Sequence, residues 1–224
     1  MKKLKITLII LFSIISLLFL IIIGALIVNG IKTNNLKKDY SYLKDNDNYN
    51  DSIVLENTKL VKQEISCGYA TIEMFAKFNN DNSITEKSLY DEYGSVVTST
   101  GKSFENEMNK RFTKYQTKMY KYLKEDELLI KVYDSLKNGI PIPFEWAALY
   151  NNSWTLHYSL IYGIDIKSDL VYILNPYGYK EELSIDSFLE RTSFNAFKDM
   201  PFYFNLAFAF GIFEKNTIFI VDKK

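Results

Sequence analysis

Residues 6–28 form an apolar run without a charge or a proline, and no other stretch restricts the chain as much. A bilayer core is crossed by about 20 apolar residues in a helix, so the run can span. A secretory signal has a shorter apolar region of about 7–15 residues and a small-x-small cleavage site, and the exit Leu26-Ile27-Val28-Asn29-Gly30 lacks one. The expectation is an uncleaved transmembrane anchor over residues 1–29. Lys2, Lys3 and Lys5 crowd its start, whereas Lys32, Lys37 and Lys38 on the far flank are spaced out and diluted by acids. The positive-inside rule then leaves the N-terminus in the cytoplasm and residues 30–224 outside the cell. That is a single-pass membrane protein with an extracellular C-terminal domain, or a secreted one if the segment is cleaved. Its Lys/Asn/Ile-rich composition has the style of a bacterial surface protein.

Residues 30–54 are polar and lack hydrophobic periodicity, which reads as a tether. Within it, Asp45 to Asp51 with Glu56 has the acidity of a calcium loop, but Asn50 stands where the sharp turn needs Gly. Residues 55–224 have the length of one domain. Tyr69, Ile72, Phe75 and Ala76 recur at helical spacing from Ser66 onward. Further helices are expected over residues 84–93, over 103–124 as one or two, and over 125–137, where Gly139 stops the chain. The texture then turns β-branched and aromatic, predicting strands over 140–148, 155–164, 170–174 and 217–221, with a short helix over 185–191. Residues 202–213 are apolar but too short to span, and are expected in the core. Helices first and a mostly antiparallel sheet afterwards make an α+β fold.

Composition narrows the chemistry. The 27 basic and 27 acidic residues balance, and three of the basic ones lie at the very start, so nothing marks a nucleic-acid surface. The chain has one Cys and one His. An internal disulfide is impossible, and a Cys/His zinc site needs three or four such ligands. No metal and no cofactor are expected.

Cys67 and His157 can act only singly or together. Cys67 stands at an expected helix start, where free backbone N–H groups and the helix dipole stabilise a thiolate and can bind an oxyanion. Gly68 beside it leaves room for a substrate. His157 opens an expected strand. The chain turns near residues 165–169 and returns, which brings Asn175 to the His157 end of the ribbon, where an amide can hold an imidazole in one tautomer. Taken separately, a lone Cys is more often a small buried hydrophobe and a lone His structural. Their joint contexts, with an Asn before Pro176, favour a nucleophile and its base. Trp146, Trp154, Tyr158 and Glu145 could line a cleft, although aromatic residues near a sheet more often pack in the core.

Gln63-x-x-x-Cys67-Gly68-x-Ala70, Leu156-His157-Tyr158-Ser159-Leu160-Ile161-Tyr162-Gly163-Ile164-Asp165 and Val171-Tyr172-Ile173-Leu174-Asn175-Pro176-Tyr177-Gly178 together resemble the bacteriocin-processing, double-glycine-peptidase-like branch of the papain superfamily. The segment Ser184 to Leu189 resembles the helix after the third motif. The resemblance implies a papain-like fold behind the anchor, with Cys67 as nucleophile, His157 as base, Asn175 as orienting residue and Gln63 as oxyanion side chain. Family members often carry Asp where Asn175 stands, and their Gln lies further ahead of the Cys. Exporter-borne members precede six membrane helices and an ATPase. Neither is found in this sequence, so a transport role is not implied.

The expected function is that of a membrane-anchored extracellular cysteine peptidase, a thiol hydrolase that cuts a peptide or protein amide through an acyl-enzyme on Cys67. The alternatives are an acyltransferase on the same fold and an inactive surface module that binds a peptide or protein partner.

Overall fold

A computed structural model of the chain describes residues 2–194 and 200–224. Residue 1, within the expected anchor, and residues 195–199, within the expected domain, lie outside the described residues. Helix α1 (Lys2–Asn34) contains the apolar run. It is long and apolar enough to cross a membrane, with a mean hydropathy of 3.2.

The domain is built on one antiparallel sheet. Strand β1 (Ile53–Val54) is followed by helices α2 (Cys67–Phe78), α3 (Glu86–Tyr93) and α4 (Gly101–Arg111). Then come β2 (Tyr115–Tyr120), α5 (Glu125–Lys137), β3 (Ile142–Tyr150), β4 (Ser153–Asp165), β5 (Leu170–Asn175) and β6 (Tyr179–Ser184). Helices α6 (Ile185–Ser193) and α7 (Phe202–Ala209) precede the last strand, β7 (Thr217–Lys223). The sheet order is β2-β7-β3-β4-β5-β6, with β1 added to β4. The α+β class and the helical first half agree with the sequence reading.

Each face of the sheet buries its alternate residues under helices. On one face Tyr158, Leu160 and Phe219 pack with Tyr69, Ile72 and Phe75 of α2 and with Phe104 and Met108 of α4. On the other, Phe144, Trp146 and Ile161 pack with Leu128 and Val132 of α5 and Phe188 of α6. The β4–β5 register shifts between Ile161 and Gly163. Here β1 joins β4 so closely that a Cβ at Gly163 would lie 2.8 Å from the Ile53 carbonyl oxygen, which requires glycine.

Three expectations differ from the structure. Residues 115–120, read as helical, form edge strand β2 along β7; pairing overrides a weak local preference. Residues 35–51 do not hang free. Leu36 and Leu43 are buried, the Lys38 backbone N–H donates to Glu125 (2.8 Å), Tyr40 donates to Asp186 (2.5 Å), and Lys44 pairs with Asp169 (2.8 Å). Two isolated leucines in a polar stretch give no period to read, yet each fills a pocket. Finally, the 202–213 segment is only partly core: Phe204 and Phe208 are buried, while Phe202, Tyr203, Phe210 and Ile212 are exposed.

Leu43→Ala in the detergent-solubilised chain is expected to lower unfolding free energy by roughly 3 kcal/mol. A chemical-denaturation difference below about 0.5 kcal/mol, the range of ordinary surface changes, would show that this segment is not held in the core.

Candidate active site

Cys67 is the first residue of α2. Ser66 caps the helix, its hydroxyl accepting from the Tyr69 backbone N–H at 3.1 Å, and this capping ends the preceding extended chain at the cysteine. The sulfur sits among the backbone N–H groups of Cys67, Gly68 and Tyr158. A Cβ at Gly68 would collide with the Thr98 hydroxyl, so glycine lets the helix start close against that loop.

His157 lies on β4, directly across from Trp146 of β3, and is 1% exposed. Its Nε2 is 2.9 Å from Asn175 Oδ1. Asn175 ends β5 and is fully buried. Its Nδ2 donates to Glu181 Oε2 at 2.6 Å, and its Oδ1 also accepts from the Tyr177 backbone N–H at 2.9 Å. Glu181 is paired with Arg191 (2.9 Å), which itself donates to the Ala147 carbonyl oxygen at 2.8 Å and lies over the Trp146 ring. A carboxylate accepts only, so Glu181 sets which end of the amide faces it and turns Oδ1 toward the imidazole. Oδ1 is also an acceptor only, so His157 Nε2 carries the proton and Nδ1 the lone pair. The Tyr177 ring stacks on the imidazole at 4.0 Å between centroids. Gly178, at φ +102°, closes the turn that brings Tyr177 back over it.

The structure joins His157 to Asn175 and sets Cys67 beside Tyr158, the residue after His157. Gln63 is tied to the same corner by its backbone N–H, which donates to the Pro176 carbonyl oxygen at 2.7 Å. Its side-chain Oε1 is buried without a partner among the described residues.

The electrostatics reverse one expectation. The helix start was expected to lower the thiol pKa. Cys67 is half-buried, and burial dominates and pushes its pKa up to about 11, the N–H groups of Tyr158, Gly68 and Cys67 offsetting only part. Burial likewise lowers the His157 pKa to about 4, against the bond from Asn175 that raises it. Both groups are thus neutral at pH 7.

A second group of buried polar atoms lies behind the sulfur. Glu145 pairs with Tyr158 across β3 and β4 and is 1% exposed. Burial raises its carboxyl pKa to about 8, so it too is neutral at pH 7. Thr98, Tyr158 and Cys67 line a cavity of about 220 Å³ together with Phe204 and Phe213. The sequence reading missed Tyr177, Glu181 and Arg191. The spacing Asn175-x-Tyr177 was visible, but the partners on β6 and α6 follow from strand register.

The sequence matches the family described as "Peptidase_C39 like family" over residues 38–201. Among similar solved structures is a double glycine motif protease from an AMS/PCAT transporter in complex with the leader peptide. It is 13% identical, with a TM-score of 0.44, and the match covers 78% of this chain and 99% of that one. Another is the peptidase domain of Streptococcus ComA, a bi-functional ABC transporter involved in a quorum sensing pathway. Here the identity is 16% and the TM-score 0.48, over 75% of this chain and 99% of that one. No curated protein matches the chain.

Two measurements check the electrostatics. The alkylation rate of Cys67 by iodoacetamide is expected to rise with a midpoint above the free-thiol value of about 8.5; a midpoint below it would mean that a thiolate already exists at rest. At pH 7 Glu145 is protonated in the fold but ionised in the unfolded chain, which opposes folding. Glu145→Gln should then raise stability at pH 7 by about 3 kcal/mol and change little below about pH 4.5, where both states are protonated. Equal effects at both pH values would rule out a raised pKa.

Proposed function

The chain belongs to the peptidase C39-like family, and from that premise we propose that it is a membrane-anchored cysteine peptidase, cutting a peptide or protein amide at the outer face of the cell membrane. The observation that carries the reading is the oriented imidazole. Asn175 holds Nε2 at 2.9 Å and leaves the basic Nδ1 for the proton of Cys67, which starts α2 beside the backbone N–H of Tyr158, the residue after His157.

We assign Cys67 as nucleophile, His157 as base and Asn175 as the residue that positions it. Sγ attacks the substrate carbonyl carbon while Nδ1 takes the thiol proton. The oxyanion is met by the backbone N–H groups at the start of α2, with the Gln63 amide as the added donor. The imidazolium then gives its proton to the leaving amine, and water, deprotonated by the same nitrogen, releases the acid from the thioester. No metal or cofactor enters this sequence of steps. The long apolar α1 and the lysines at its start support anchoring with the domain outside the cell.

The test is cleavage of a peptide library by the full chain in detergent micelles, with products mapped by mass spectrometry. Cys67→Ala should leave no products. Asn175→Ala should lower kcat by roughly a hundredfold with KM little changed, as for loss of a group acting on the proton transfer. Cleavage by Cys67→Ala at the wild-type rate would overturn the assignment.

A further inference from the structure

Helix α1 does not leave the domain as an isolated rod. It packs against α7, and its partly covered residues Ile22, Ala25, Leu26 and Asn29 recur at helical spacing, so one stripe faces the domain. Past that stripe, Thr33 is buried and accepts from the Lys215 ammonium at 2.7 Å, and Lys215 in turn lies over the Phe208 ring of α7. Three of the stripe residues belong to the apolar run itself. At a rise of about 1.5 Å per residue, Ile22 lies about 9 Å inside the end of that run at Val28. Whatever packs on Ile22 to Leu26 shares their depth.

The surface of α7 suits such a place. Phe202 is 61% exposed, Tyr203 63%, Phe210 52% and Ile212 57%. Four large apolar or amphipathic side chains in water would be an unfavourable patch, whereas aromatic rings are enriched at the membrane boundary. We propose that α7 and residues 210–212 enter the outer leaflet beside α1, a second membrane contact in which Phe202, Tyr203, Phe210 and Ile212 meet lipid. The inference rests on α1 spanning the bilayer. The buried side of the same segment, through Phe204 and Phe213, walls the cavity that Cys67 lines. The cleft therefore opens at the lipid–water boundary, and its peptide substrate meets it there.

The experiment uses the full chain with Cys67→Ala, which removes the only thiol, and one new cysteine at a time: Tyr203→Cys, Phe210→Cys, Phe12→Cys within α1, and Tyr90→Cys on α3. Each carries an environment-sensitive fluorophore and is reconstituted in vesicles of equal parts phosphatidylcholine and phosphatidylglycerol. The labels at 203 and 210 are expected to be blue-shifted, quenched by lipid-borne nitroxide and shielded from iodide, like the label at 12 and unlike that at 90. If 12 is quenched by the lipid probe while 203 and 210 respond only to iodide, the second contact is absent and the anchor stands. If 12 is itself open to iodide, the anchor fails and the inference with it. Shielding of 203 and 210 from both quenchers would mean that protein covers the face, which also overturns the lipid contact.

Discussion

The hydrogen bond from Asn175 Nδ2 to Glu181 determines how the whole site can work. An amide by itself can present either end to an imidazole. Glu181 accepts at one end, so the oxygen must face His157, so Nε2 must hold the proton, so the lone pair must stand on Nδ1. Every member of that chain is placed by secondary structure. Asn175 lies across from Tyr179 and Glu181 across from Ile173 in the β5–β6 hairpin, so the two side chains meet diagonally; Arg191 reaches the carboxylate from α6, and Arg191 is fixed in turn by the Ala147 carbonyl oxygen of β3. An edge hairpin thus decides which imidazole nitrogen of His157 carries the proton.

Opposite influences meet at Cys67. A helix start and three backbone N–H groups favour a thiolate, and enclosure among apolar walls disfavours it. Desolvation outweighs the N–H groups at the half-buried Cys67, as it does at His157 beneath the Tyr177 ring. The same enclosure strengthens every dipole aimed at the sulfur once charge develops there. Glu145, neutral behind Tyr158, fits this pattern, since an ionised carboxylate there would add to the penalty on the thiolate.

Much of this was legible in the sequence, for identifiable reasons. The apolar run, the capped start of α2 and the alternation along β4 are local patterns, and they carried the long apolar helix, the fold class and the positions of Cys67 at a helix start and His157 on a strand. What was hidden depends on pairing between distant segments. Tyr115 to Tyr120 becomes a strand because β7 offers an edge. Glu181 and Arg191 matter because of register and helix placement, which no motif spells out. Leu36 and Leu43 sit in a charged, asparagine-rich stretch whose composition reads as linker, yet two buried side chains suffice to fasten it. The aromatic cluster after α6 reads as core because hydrophobicity alone does not distinguish an inward face from an outward one.

The fastening of residues 33–44 also sets a length. A slack linker would let the domain range over a volume limited only by chain extension, and cut whatever drifted through it. Here Thr33, Leu36, Tyr40, Leu43 and Lys44 are each held by the domain, so the slack is taken up and the cleft keeps a constant position relative to the end of α1. Such a protein works like a blade on a fixed mount. With α1 in a bilayer, as proposed, its selectivity would be partly a ruler, choosing bonds by their distance from the membrane as well as by the residues around them.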